Sequence, residues 1–111
     1  MNSQQLTLEV TQLHADLCSA LADPSRILLL YALVEQPRSV NDLASDVKIS
    51  QSATSRHLKV LREHGLVYSN RLGQNIEYSL ADARIIEALD LLRAVLRDCL
   101  SRRANLMIEV D

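Results

Sequence analysis

A three-residue break, Lys48-Ile49-Ser50, separates two short amphipathic patterns, and no other feature restricts the fold as much. Upstream, "SVNDLASDV" reads as a short helix with Ser39 or Asn41 placed to cap it. Downstream, "SQSATSRHLKVLREHG" starts at a second capping hydroxyl, Ser50. It ends at Gly65, a residue suited to the left-handed position that closes a helix. Leu58 and Leu61, with Thr54 one turn earlier, form the inward stripe of this second helix. Two short helices joined by so tight a turn make a helix-turn-helix, expected over about residues 41–64.

The flanking segments complete the outline. Leu6, Val10, Leu13 and Leu17 recur at helical spacing and predict a first helix over about residues 3–21. "ADPSR" supplies a start signal, with Asp23 as cap and Pro24 in the first helical position, for a second, nearly all-apolar helix reaching about Glu35. Gln36, Pro37 and Arg38 break it. "LVYSNRLGQNIEYSL" reads as a hairpin, with strands Val67–Arg71 and Ile76–Leu80 around Leu72-Gly73-Gln74-Asn75. Asp82 can cap a last helix over about residues 82–103, striped by Ile85, Leu89, Leu92 and Leu96 and widened by Ile86, Leu91 and Val95. The tail "ANLMIEVD" fits either a helix end or a loose terminus. The first and last helices carry more apolar face than one small core uses, which predicts a homodimer through them. The expected fold is mainly α with a small β-hairpin wing over about residues 66–80. It is a winged helix-turn-helix in a single domain spanning 1–111.

Composition excludes several functions. With three Tyr and neither Phe nor Trp, the core must be built from Leu, Ile, Val and Ala. Two glycines are too few for a phosphate loop or a dinucleotide fingerprint. Ser52 and Ser55 lack a glycine elbow, and no carboxylate pair or metal triad assembles by spacing, so an enzyme is not expected. "MNSQQLTLEV" has no secretory character, and the longest apolar run, Ile27–Val34, is far short of a bilayer span. A soluble cytoplasmic protein with reduced cysteines and no membrane partner is expected.

The net charge of −2 hides a lopsided field. Residues 48–75 hold Lys48, Arg56, Lys59, Arg62 and Arg71 against Glu63 alone, or +4, while the other seven basic and thirteen acidic residues give −6. A local basic region on an acidic protein attracts phosphate without making the whole surface adhesive. The outward residues of the second helix of the motif are Gln51, Ser52, Ser55, Arg56 and Lys59. Gln pairs with adenine edges, Ser with either kind of base and Arg with guanine, while the helix N-terminus, Lys59 and Arg62 can hold phosphates. Arg71, Gln74 and Asn75 at the hairpin tip can reach a neighbouring groove or the backbone. A protein-docking use of the motif would leave the +4 segment without a purpose. His57 and His64 are expected to lie near DNA or in solvent.

"LADPSRILLLYAL", "SVNDLASDVKISQSATSRHLKVLREHGLVYSNRLGQNIEYSL" and the closing helix resemble the ArsR/SmtB family of winged-helix repressors over roughly residues 5–100. The resemblance implies a homodimer on an inverted-repeat operator, released when a metal ion, metalloid or oxidant meets a sensor site. It puts Gln51, Ser52, Ser55 and Arg56 at DNA-reading positions, and Thr54 where relatives usually carry Val.

The family's usual sensor sites are missing from this chain. "SVNDLA" has no thiol where arsenic, cadmium and lead sensors carry Cys-x-Cys, and Asp82-Ala83-Arg84 has no histidine where zinc and nickel sensors carry Asp-x-His. Cys18 and Cys99 remain, as sensors of persulfide, oxidant or arsenite, or else as small buried hydrophobes. The parallel with sulfur sensors is incomplete, because Tyr31 stands where their first thiol usually lies. His14, Cys18 and Cys99 are the weak candidates for a thiophilic ion such as arsenite, and no other cofactor is expected. The alternative is a repressor of the same type with no thiol inducer.

Overall fold

The computed structural model describes the backbone of residues 2–110 and the side chains of residues 2–105. The first helix is interrupted. Helix α1 (Ser3–Glu9) starts at an Asn2–Gln5 capping box and passes through a π-helical turn, Val10–His14, into α2 (Ala15–Ala20). That wider turn re-phases the single stripe expected from sequence, and Leu6, Val10 and Leu13 all stand exposed on the isolated chain. Asp23 caps α3 (Pro24–Ala32) by accepting from the N–H groups of Ser25 and Arg26, with Pro24 in the first turn as expected. This helix ends three residues short of the Glu35 boundary read from its apolar run.

The helix-turn-helix is α4 (Val40–Val47) and α5 (Gln51–Glu63). Ser39 caps the first and Ser50 the second, each hydroxyl accepting from the N–H three residues on. Lys48 turns the chain between them in the left-handed region, with φ 63°. The Lys48 and Ile49 amides both bond back to the Ala44 carbonyl, so the αL residue closes α4. Gly65, at φ +73°, closes α5 as the sequence indicated. Its N–H bonds to Arg62 O and the Leu66 N–H to Leu61 O, the paired bonds of a Schellman motif.

Strands β2 (Val67–Leu72) and β3 (Asn75–Leu80) pair antiparallel, from Val67 opposite Leu80 to Leu72 opposite Asn75. The loop is therefore only Gly73-Gln74, one residue tighter at each end than expected, and Gly73 supplies φ +66° at its first position. A two-residue strand, β1 (Arg38–Ser39), adds to the other edge of β3 and gives the sheet order β1-β3-β2. Sequence did not indicate β1, since two residues after a proline show no alternation. Helix α6 (Arg84–Val110) continues past Arg103 and settles the tail as helix up to Val110.

The core is aliphatic throughout: Leu29, Leu30, Leu33, Leu43, Leu58, Leu61, Leu66, Val67 and Leu89 are buried around α3. Each fully buried leucine contributes roughly 1.5–3 kcal/mol, so truncating one inside α5 would cost about 2–5 kcal/mol. Thr54 is the one buried polar residue among those described, and its hydroxyl donates to Ser50 O at 2.8 Å. Tyr31 ties α3 to α6: its OH donates to Asp90 Oδ1 at 2.6 Å, and the Arg93 guanidinium lies 5.4 Å above the ring. Among the described residues no helix is long and apolar enough to cross a membrane.

Candidate nucleic-acid interface

The anchored face of α5 decides which side chains point out. Thr54, Leu58 and Leu61 hold the helix to the core. At 3.6 residues per turn this leaves Gln51, Ser52, Ser55, Arg56 and Lys59 exposed, the five outward residues named from sequence. Arg71 and Gln74 are exposed on the wing, as expected of its tip. The helix and the wing border one groove, lined by Ser39, Val40, Asn41, Gln51, Gln74, Asn75 and Ile76, with a volume of about 210 Å³. Gln51 Nε2 donates to Asn41 Oδ1 across the groove, which leaves its own carbonyl oxygen as the free end of the amide. Of the two candidate caps of α4, Ser39 does the capping, and Asn41 instead partners Gln51.

Two histidines fall elsewhere than expected. His57 and His64 are half-buried on the inner side of α5, turned towards α2 and α3 rather than towards solvent or DNA. Arg26 Nη1 lies 3.3 Å from His57 Nδ1, and His64 Nε2 lies 3.4 Å from Asp16 Oδ2. A bond to the Val60 carbonyl raises the His64 pKa most, desolvation opposes it, and Asp16 adds to the rise. Desolvation pushes the Asp23 carboxyl up, but bonds from the Arg26 and Ser25 N–H groups, with smaller contributions from the nearby His57 ring and Arg26 guanidinium, outweigh it and leave it below its usual value. Spacing alone could not show the Arg26–His57 and Asp16–His64 contacts, because each joins residues far apart in the chain.

The sensor candidates are not brought together. Cys18 is exposed, Cys99 is half-buried, both are free thiols, and within one chain they are not close. Cys99 Sγ accepts from Arg102 Nη2 at 3.3 Å, and His14 faces Glu9 at 3.6 Å rather than either thiol. No group of three or more metal-ligating side chains forms among the described residues. Leu91, Leu92, Val95, Leu96 and Leu100 stand exposed along α6, matching the exposed leucines of the first helix.

Residues 23–69, from the cap of α3 through the helix-turn-helix to the first wing strand, match the model of the bacterial regulatory proteins of the arsR family. A transcriptional regulator of Mycobacterium tuberculosis, Rv0081, is 41% identical over 97 residues, covering 86% of this chain and 85% of that protein. The chain belongs to the arsR family. The crystal structure of Rv0081 superposes with a TM-score of 0.77, covering 86% of this chain and 96% of that one at 42% identity. A transcriptional repressor SmtB homolog of Synechocystis is 46% identical over 81 residues, which are 73% of this chain. This arsR-family chain spans 61% of that homolog and 63% of the M. tuberculosis regulator NmtR, so the match covers under two-thirds of each. These arsR relatives are named as regulators of transcription rather than as enzymes.

Proposed function

We propose that this chain is a homodimeric transcriptional repressor that binds an inverted-repeat operator through α5 and the wing. The observation that carries the reading is the exposed face of Gln51, Ser52, Ser55, Arg56 and Lys59, with Gln51 and Gln74 on one groove and Arg71 exposed on the wing, all within the basic segment of an acidic chain. Gln51, Ser52, Ser55 and Arg56 enter the major groove and meet base edges. Lys59, Arg71 and Gln74 hold the flanking backbone or the neighbouring groove. The exposed leucines of α1 and α6 pair across a two-fold axis and set the two α5 helices about one helical turn, roughly 34–36 Å, apart.

Release follows a thiol-directed signal, persulfide, oxidant or arsenite, at Cys18 and Cys99. Since the two thiols of one chain are not close, such a signal acts by bridging protomers or by modifying each thiol singly. It must favour a dimer geometry that misplaces the reading helices. Fluorescence anisotropy of the reduced protein on its own upstream DNA tests both parts. Tight, salt-sensitive binding that one thiol reagent abolishes, and that Cys18→Ser with Cys99→Ser makes immune, is the expected result. Binding indifferent to all three reagents would favour the repressor without a thiol inducer.

A further inference from the structure

We propose that Arg26 is a positioning residue for the reading helix, and that its hold on neutral His57 makes operator affinity fall as His57 gains a proton. The inference rests on α5 being the DNA-reading helix and adds the contact that sets its angle.

Arg26 occupies the first turn of α3 but reaches out of it in two directions. Its Nε donates to Ala20 O at 2.6 Å and its Nη2 to Ser19 O at 3.3 Å, capping the end of α2, where Ser19 O also accepts from the Ala22 N–H. Its Nη1 meets His57 Nδ1 at 3.3 Å, in the middle of α5. One rigid guanidinium thus spans the end of the first helix and the inner face of the reading helix. The α1–α2 segment also carries part of the exposed leucine surface, so a shift there reaches α5 through this fork.

The chemistry of the contact sets its proton requirement. Arg26 has only donors, so His57 Nδ1 must accept, and the ring proton sits on Nε2. Nε2 then points towards Asp23 Oδ1, 3.9 Å away. The charged groups facing His57 are therefore Arg26 and Asp23, both from α3 and its cap; Arg56 and Lys59, its neighbours on α5, are exposed on the outward side. A proton on Nδ1 replaces the acceptor by a donor and sets two cations against each other. Asp23 attracts the new charge but is already engaged by two backbone N–H groups and lies on the other nitrogen. His64 has the opposite demand, since protonation favours its Asp16 contact, so acid loosens one attachment of α5 while the other holds and the helix tilts.

The test is operator affinity by anisotropy at constant ionic strength between pH 8 and 5.5, with random-sequence DNA alongside. Wild-type operator affinity should fall about tenfold over that range while random-sequence affinity does not, since one proton linked to binding can change affinity up to tenfold per pH unit. His57→Gln offers Arg26 an amide oxygen that does not titrate in this range, and it should bind the operator as wild type at pH 8 and stay within about twofold at pH 5.5. Arg26→Gln should bind weakly at both pH values. His64→Gln should keep the wild-type fall. An equal fall in His57→Gln, or a flat wild-type profile, overturns the proposal. Imidazole nitrogen NMR reads the contact without DNA: His57 should be the Nε2–H tautomer at pH 8 and lose that preference in Arg26→Gln. An Nδ1–H His57 overturns the contact whatever the DNA result. A wild type that does not prefer the operator at pH 8 contradicts the DNA reading itself, even with the tautomer as expected.

Discussion

Truncating Leu96 to alanine should weaken self-association without harming the fold. Leu96 is 61% exposed on the isolated chain, so little of its side chain belongs to the protomer core. Full burial of the three carbons that Leu→Ala removes is worth about 2.4 kcal/mol, and burying the exposed share on dimerisation about 1.5 kcal/mol. A two-fold interface counts the change twice, giving about 3 kcal/mol, or about 100-fold in the dimer dissociation constant. Leu72→Ala on the wing is the control: Leu72 is 56% exposed but lies away from α1 and α6, and it should change dimerisation less than about twofold. Sedimentation velocity over a concentration series measures both constants, and thermal unfolding at high protein concentration checks that each variant folds. An unchanged constant for Leu96→Ala, or an equal loss for Leu72→Ala, would refute the assignment of the interface to the terminal helices.

Four further outcomes follow from the same structure. Lys48→Gly relieves a left-handed conformation held by a side chain with a Cβ and should raise stability by about 0.5–1 kcal/mol in denaturant unfolding; no gain would show that the turn carries no strain. Thr54→Val keeps the buried shape, and Ser50 O retains the Thr54 amide as partner, so stability should change by less than about 1 kcal/mol; a larger loss would give the hydroxyl a role beyond its bond to Ser50. Arg56→Ala should relax sequence preference by about 1–3 kcal/mol at one base position, while Lys59→Ala weakens all sequences alike and lowers the salt slope by about one per protomer; the reverse pattern in binding selections would exchange their roles. Arg84 holds the Asp82 carboxyl down to about 2, so this pair's stabilisation is whole above pH 3.8 and disappears as pH falls through about 2. The melting-temperature gap between wild type and Arg84→Ala should accordingly close between pH 4 and 2, and a constant gap would mean that the pair is not its source.

Local chemistry was what the sequence revealed best. Ser39, Ser50, Asp23 and Gly65 mark helix ends through bonds to residues two to five positions away, and each does so in the structure. The outward set on α5 follows from helical period once Leu58 and Leu61 are taken as anchors. What stayed hidden depends on distant partners. Strand β1 exists only because β3 lies beside it, and the inner positions of His57 and His64 depend on α2 and α3 packing across α5. Ser39 and Asn41 stayed equal candidates for the α4 cap, because Gln51, the partner that occupies Asn41, reaches it only through the turn at Lys48. The distance between Cys18 and Cys99 was equally out of reach, because the path of α6 past the first helix is set by tertiary packing.

The central claim is that α5 reads bases rather than merely attracting phosphate. Its most direct test is the ratio of affinities for the upstream inverted repeat and for a scrambled duplex of the same length, measured by competition at physiological salt. The account predicts a ratio of about 10³ or more for the reduced dimer, falling by about tenfold or more in Arg56→Ala. A ratio near one, with binding lost steeply as salt rises, would contradict it and leave only a basic surface that holds any nucleic acid.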